Sequence, residues 1–295
     1  MFTRILVPID FSAPSDAALA YARRLAETRE TELHLLHVAD ATFLRAAIAD
    51  PQDRETAVLN RLDTLLSDED RRRFRVLAAV EHSDEPADEI VRYARLKDID
   101  LIVMGTHGRT GVAHMLLGSV AEKVVRVAPC PVLTLRPVPA SIGATQLGPT
   151  RILAPTDFSP ASDRALEYAR RLAAQHGAAL HVLHVLEDVV DTASFASEGF
   201  VPDSPELRAA RLKEAQDKLA HRKGSGDHER PHATTEVVVG SSARTISRYA
   251  ADNNFDLIVM GTRGRTGIAH LVMGSVAEQV VRTAPCPVLS THPPG

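Results

Sequence analysis

Two repeated domains, each a doubly wound α/β unit on a five-stranded parallel sheet flanked by helices, are what this sequence predicts. Three observations carry that expectation. The chain of 295 residues repeats itself once. Within each copy, short apolar runs alternate with segments of helical spacing, the pattern of a parallel sheet covered by helices. The fourth apolar run of each copy leads into a glycine-punctuated segment, and that segment leads into a helix.

The repeat spans nearly the whole chain. "RILVPIDFSAPSDAALAYARRLAE" from Arg4 matches "RILAPTDFSPASDRALEYARRLAA" from Arg151, and "LHLLHV" from Leu33 matches "LHVLHV" from Leu180. "MGTHGRTGVAHMLLGSVAEKVVRVAPCPVL" from Met104 matches "MGTRGRTGIAHLVMGSVAEQVVRTAPCPVL" from Met260. Asp10 and Asp157 stand 147 apart, Gly105 and Gly261 156 apart, so the second copy carries nine extra residues between its second strand and its glycine segment. That period is far too long for a solenoid, and each copy is a full domain. The stretch 136–150 holds three prolines and two glycines and reads as a linker. The expected division is 1–138, a linker at 139–149, and 150–295. Residues 221–233, "HRKGSGDHERPHA", lack an apolar period and read as a mobile loop within the second domain.

In chain order, "RILVPI" is a short strand. "PSDAALAYARRLAE" has helical spacing, with Ala18, Tyr21, Ala22 and Leu25 on one face and Ser12 ahead of Pro14 as the start signal. "LHLLHV" is a strand, and helical spacing follows from Arg54 to Leu66. "RVLAAV" is a strand and "ADEIVRYARL" a helix. "DLIVMG" is apolar throughout, as a strand covered on both faces is. "GSVAEKVVRVA" is a helix and "PVLTL" the last strand. The second copy repeats the series.

Composition excludes several classes. A net charge of −4 implies no basic face for nucleic acid, and the absence of Trp argues against base-stacking platforms. No apolar stretch approaches a membrane span or a signal peptide, so a cytoplasmic protein is expected. The two cysteines, Cys130 and Cys286, sit in matching "APCPVL" segments and read as small buried hydrophobes rather than a disulfide.

The glycine segment has the spacing G-x2-G-x9-G-S: Gly105, Gly108, Gly118 and Ser119, then Gly261, Gly264, Gly274 and Ser275. Glycine lets backbone approach a ligand closely. A loop entering a helix N-terminus presents unpaired N–H groups and partial positive charge, which suit an anion. The spacing is not a Walker A loop, lacking Gly-Lys-Ser/Thr, nor the dinucleotide G-x-G-x-x-G, which follows the first strand. "SVAE" also reads as a capping box, Ser119 with Glu122 and Ser275 with Glu278, and that alone would explain the serines.

With "VPIDFS" and "APTDFS" after the first strand, "LHV" ending the second, the glycine segment and "APCPVL", the sequence resembles the universal stress proteins, as a tandem pair of Rossmann-like domains. The glycine spacing is similar to that of family members that bind ATP. The resemblance implies one adenine nucleotide per domain. Pro8, Asp10 and Val38 would line the adenosine, with Pro155, Asp157 and Val185 in the second domain, flanked by Met104 and Met260. Gly105, Gly108, Gly118, Ser119 and Val120 would hold ribose and phosphates, as would Gly261, Gly264, Gly274, Ser275 and Val276. His107 and Arg109, with Arg263 and Arg265, lie in the same loops. His107 occupies the place that Arg263 has in the second copy, so the two sites differ with pH if these side chains face the phosphates, and do not if both point to solvent. Before the third helix the family often has Gly-x-Pro. Here the first copy has Asp84 and Pro86, the second Gly240 and Ser242, and that helix is not expected to touch phosphate.

Asp10 and Asp157 suit either a ribose hydroxyl or Mg2+ beside the phosphates, or a cap on the following helix. His34 and His37, repeated as His181 and His184, sit three apart on a strand and so cannot share a metal easily. No nucleophile–base pair is legible, no phosphate-loop lysine occurs, and the turn after strand one is not the Ser-Gly-Gly of ATP pyrophosphatases. The expectation is a nucleotide-dependent regulatory protein, with a weak ATPase or autophosphorylating protein, and a nucleotide-free dimerisation scaffold, as alternatives. The last strands present apolar edges, so pairing of the two copies and a homodimer of chains are expected.

Overall fold

The computed structural model describes residues 2–26, 31–39, 51–106, 117–136, 148–187, 204–222, 233–262 and 273–292. The chain divides into two compact units between Gly148 and Pro149.

The first unit runs β1 (Arg4–Pro8), α1 (Ala13–Leu25), β2 (Glu32–Ala39), α2 (Pro51–Thr64), α3 (Asp68–Arg73), β3 (Arg75–His82), α4 (Pro86–Leu96), β4 (Leu101–Gly105), α5 (Ser119–Val127) and β5 (Val132–Leu135). Its sheet is parallel, in the order β3-β2-β1-β4-β5. The second unit runs β6 (Arg151–Pro155), α6 (Pro160–His176), β7 (Ala179–Leu186), α7 (Pro205–Ala220), β8 (Thr234–Val239), α8 (Ser242–Asp252), β9 (Leu257–Gly261), α9 (Ser275–Thr283) and β10 (Val288–Thr291). Its order, β8-β7-β6-β9-β10, is the same arrangement. Both are doubly wound α/β sheets.

The central strands explain why the runs are apolar throughout. Ile5, Leu6 and Val7 of β1 are fully buried, as are Leu101, Ile102 and Val103 of β4. With helices on both sides, alternation would place a polar side chain in the core. Each such leucine or isoleucine stabilises the fold by about 1.5–3 kcal/mol. α1 follows the periodicity, burying Ala18, Leu19, Tyr21, Ala22 and Leu25 on one face.

A carboxylate fixes the start of the first strand in each unit. Asp100 accepts from the backbone N–H and hydroxyl of Thr3, both at 2.7 Å, and from the N–H of Arg4. Asp256 does the same for Thr150 and Arg151. The clamp ties β1 to β4, and β6 to β9, at the end opposite the loops that follow these strands. Strand order reverses at β1, which has β2 on one side and β4 on the other. Ligands of doubly wound sheets bind at such a switch point, beyond the carboxyl ends of the strands.

Two local expectations change. The helical stretch after β2 starts at Pro51 and ends at Thr64, and Ser67 opens a separate short helix whose Asp70 N–H donates to its hydroxyl. The capping box at Ser119 does not form. Gly118 is the N-cap of α5, its carbonyl taking the first helical bond from the Glu122 N–H, and Ser119 is the first helical residue. Gly274 and Ser275 repeat this in α9. The two serines are therefore not capping residues. Of the expected loop at 221–233, His221 caps α7, Arg222 follows and Ala233 precedes β8; the remainder lies outside the described residues.

Candidate functional site: one cleft in each unit

The loop after β1 is built by short hydrogen bonds. Asp10 Oδ1 accepts from the N–H of Ser12 at 3.0 Å and from its hydroxyl, and Ser12 caps α1. Asp157 Oδ1 accepts from the N–H of Ser159 at 3.0 Å ahead of α6. The carboxylates thus form the turn that starts the helix. Between Asp and Ser, Phe11 and Phe158 have positive φ, 62° and 65°. Each phenyl ring lies against a strand histidine and an arginine, Arg61 of α2 in the first unit and Arg222 just beyond α7 in the second. Phe11 sits 5.0 Å from His37 with the Arg61 guanidinium 3.9 Å above it. Phe158 sits 4.3 Å from His184, with Arg222 at 4.8 Å. His37 and His184 each bond through Nδ1 to a backbone oxygen of the loop, Ile9 and Thr156, at 2.7 Å.

Across the cleft, the glycine loop is pinned at its base. The Gly118 N–H donates to the Thr106 carbonyl at 2.8 Å, and Gly274 to Thr262 at the same distance. The N–H of Gly118 is thereby used, and Glu122 donates the first helical bond. The three N–H groups in between belong to Ser119, Val120 and Ala121. An α-helix supplies no internal partner for N–H groups in its first turn, and its dipole adds partial positive charge there. Ser275, Val276 and Ala277 occupy the same places in α9.

Ser119, Val120 and Ala121 line a cavity of about 230 Å³ in the first unit, between the loop after β1, the end of β2, α4, the end of β4 and the start of α5. The corresponding cavity in the second unit measures about 160 Å³. Pro8, Asp10, Val38, Met104, Gly105, Gly118, Ser119 and Val120 all line the first, and Pro155, Asp157, Val185, Met260, Gly261, Gly274, Ser275 and Val276 the second. His107, Gly108 and Arg109, with Arg263, Gly264 and Arg265, lie outside the described residues.

Sequence reasoning missed several linings. Ala121 and Ala277 follow from numbering the first helical turn from Gly118 and Gly274 rather than from the serines. Pro86 and Ile90 of α4, and Ser242 and Ile246 of α8, also reach the cavities. The helix after the third strand is thus a cleft wall, and the only signal for it was the Gly-x-Pro comparison. The apolar sides come from Leu36, Ile90 and Met104, and from Leu183, Ile246 and Met260.

His34 and His37 turn to different partners. His34 Nδ1 meets the Tyr93 hydroxyl at 3.0 Å, where burial lowers its pKa and raises that of the tyrosine. His181 Nε2 meets Tyr249, which donates to Glu236 at 2.7 Å. Among the described residues, no group of three or more metal-binding side chains comes together. No described helix is long and apolar enough to cross a membrane.

Fold and cleft define a class: a duplicated, doubly wound α/β protein with a helix-terminus site at each switch point. The chain matches the universal stress protein family over residues 1–136 and 149–292 and belongs to that family. It is 30% identical over 294 residues to the universal stress protein Rv2623 of Mycobacterium tuberculosis, covering 97% of this chain and 95% of that one. It is 36% identical over 145 residues to MJ0531 of Methanocaldococcus jannaschii, 49% of this chain and 82% of that protein. The crystal structure of a universal stress protein from Archaeoglobus fulgidus superposes with a TM-score of 0.68 at 23% identity, covering 98% of both chains, a likeness of fold.

Proposed function

We propose that this is an ATP-binding universal stress protein, a cytoplasmic regulatory protein that holds one nucleotide in each unit and signals its bound state to protein partners as a dimer of chains. The observation that carries the reading is that the first helical turn of α5, Ser119, Val120 and Ala121, lines an apolar-walled cleft at the switch point. The donors suit phosphate oxygens, and the side walls suit a purine ring. Ser119 and Ser275, relieved of capping, add a hydroxyl at the same place. Asp10 and Asp157 are the carboxylates lining the clefts among the described residues, and Mg2+ carried by the phosphates would find them there.

The linings combine backbone donors, a hydroxyl, a carboxylate and apolar walls, which supports the nucleotide reading. Gly118 and Gly274 have φ of −61° and −64°, which any residue adopts, so glycine is not required there by backbone conformation. A requirement for space beside the ligand accounts for it.

The test is to denature purified protein and identify what it releases, then to titrate ATP into full-length chain. Two nucleotides per chain are expected, one in Gly118→Leu, and none in the double variant with Gly274→Leu, with circular dichroism unchanged. Two sites persisting in the folded double variant overturn the reading. ADP accumulating over hours would move the protein to the weak ATPase class.

A further inference from the structure

The two clefts have matching linings but opposite charges at one rim. In each unit the helix after the third strand packs on the helix whose first turn lines the cleft, α4 on α5 and α8 on α9. Pro86 and Ser119 both line the first cavity, and Ser242 and Ser275 the second, so two helix starts flank each cleft. In the first unit this corner is acidic. Glu85 directly precedes Pro86, and Asp88 follows in the same turn. Lys123 of α5 reaches across to both, its Nζ donating to Asp88 Oδ2 at 2.8 Å and to Glu85 Oε2 at 3.3 Å. One cation thus serves two carboxylates, and Asp84 adds a further negative charge beside them.

The second unit replaces every one of these charges. Gly240, Ser241, Arg244 and Gln279 stand where the first has Asp84, Glu85, Asp88 and Lys123. The first turn of α8 holds no acidic residue, and the Ser247 and Thr283 hydroxyls, 2.8 Å apart, join α8 to α9. Arg244 is exposed. The ion pairs of α8 and α9, Arg248 with Asp252 and Arg282 with Glu278, leave it out among the described residues. Glu187, which accepts from the Ser242 hydroxyl at 2.7 Å, has Asp40 at its place in the first copy, so that charge does not separate the units. Packed helices lie about 8–10 Å apart. The charges on α4 and α8 therefore stand about one screening length, about 10 Å at 0.1 M salt, from an anion at the first turn of α5 or α9.

We infer that these rims sort the nucleotide by its charge: the second cleft favours free ATP, and the first favours ATP whose phosphates are partly neutralised by Mg2+. Glu85 and Asp88 repel the phosphates in one unit, and Arg244 attracts them in the other. Asp10 and Asp157 are alike in the two clefts, so a cation held by them strengthens both equally and leaves the difference to the rims. This rests on reading the clefts as nucleotide sites.

The experiment uses full-length Gly274→Leu and Gly118→Leu chains, which keep the first and the second cleft respectively. Each is titrated calorimetrically with ATP at low salt, once with EDTA and once with excess Mg2+. With EDTA the second cleft is expected to bind about tenfold more tightly than the first, and Mg2+ should narrow the gap to about threefold or less. Salt at about 0.5 M should narrow it as well, because the effect is screened. Glu85→Ser with Asp88→Arg and Lys123→Gln copies the second rim onto the first and should raise its affinity for free ATP. Arg244→Asp should lower that of the second, with unfolding midpoints showing both variants folded. Equal affinities in EDTA, a gap that Mg2+ leaves unchanged, or affinities that neither rim variant moves overturn the inference while leaving the nucleotide reading intact. Failure of both single-cleft chains to bind ATP overturns the two together.

Discussion

A Cβ on Gly105 would stand 2.6 Å from the Cβ of Pro14, with the Pro14 carbonyl group at 3.1 Å. The first glycine of the G-x2-G-x9-G-S spacing is therefore a packing glycine. It lets the first turn of α1 rest on the end of β4, and Gly261 does the same for Ala161, whose carbonyl carbon would be 3.0 Å away. Backbone cannot yield as a flexible side-chain end does. Gly105→Ala and Gly261→Ala are each expected to destabilise the protein by about 1–3 kcal/mol, the usual cost of overpacking. On the proposed nucleotide reading they should also weaken binding, because α1 carries the loop holding Asp10. Unfolding midpoints equal to wild type would show that the helix shifts freely.

Phe11 and Phe158 give a second test. A non-glycine residue in the left-handed region costs about 1–2 kcal/mol, and here stacking on histidine and arginine holds it in place. Phe158→Ala loses the stack and keeps the strain. Phe158→Gly loses the stack and relieves the strain. Glycine should therefore be less destabilising than alanine by about 1 kcal/mol, and denaturant unfolding of the two variants decides it.

Neither phenylalanine was legible as a turn residue, because phenylalanine has no local preference for positive φ and its conformation is imposed by His37, Arg61 and their counterparts from distant elements. Other features followed from local pattern. Unbroken apolar strands indicated burial on both faces, and the repeat gave the same architecture twice. Ser119 failed as a cap because "GSVAE" offers two start positions one residue apart. The choice fell to the Gly118 N–H bond with Thr106, which belongs to the closed loop and not to the helix. Pro86 and Ser242 were missed because a helix's distance from the cleft is a tertiary property.

The cysteines should be inert in the folded protein. Cys130 and Cys286 are each 7% exposed, and burial pushes both thiols up to about 12. The thiolate is the reactive form, and almost none exists at pH 8. Iodoacetamide at pH 8 is expected to label neither until denaturant is added, after which both react. Rapid labelling of folded protein would contradict that burial.

His34 and His181 both contribute to the acid limb of stability. His34 is 2% exposed, and its pKa lies below the usual 6.5 chiefly because burial disfavours the cation, with Arg4 and Lys97 acting in the same direction. Glu32, 3.6 Å from Nε2, pulls the other way without prevailing. His181 is lowered by burial and Arg151 against the pull of Glu236. In the unfolded chain both histidines bind a proton more readily than in the folded one. Their contribution is therefore fully present above about pH 6.5 and is lost as pH falls from there toward the folded-state values. Once protonated, His34 Nδ1 can only donate to the Tyr93 hydroxyl. The denaturation midpoint should fall between pH 7.5 and pH 5.5. His34→Gln keeps a polar group facing Tyr93 but cannot titrate, so it should lower stability at pH 7.5 and flatten the decline. Parallel curves for variant and wild type would mean that His34 carries none of the pH dependence.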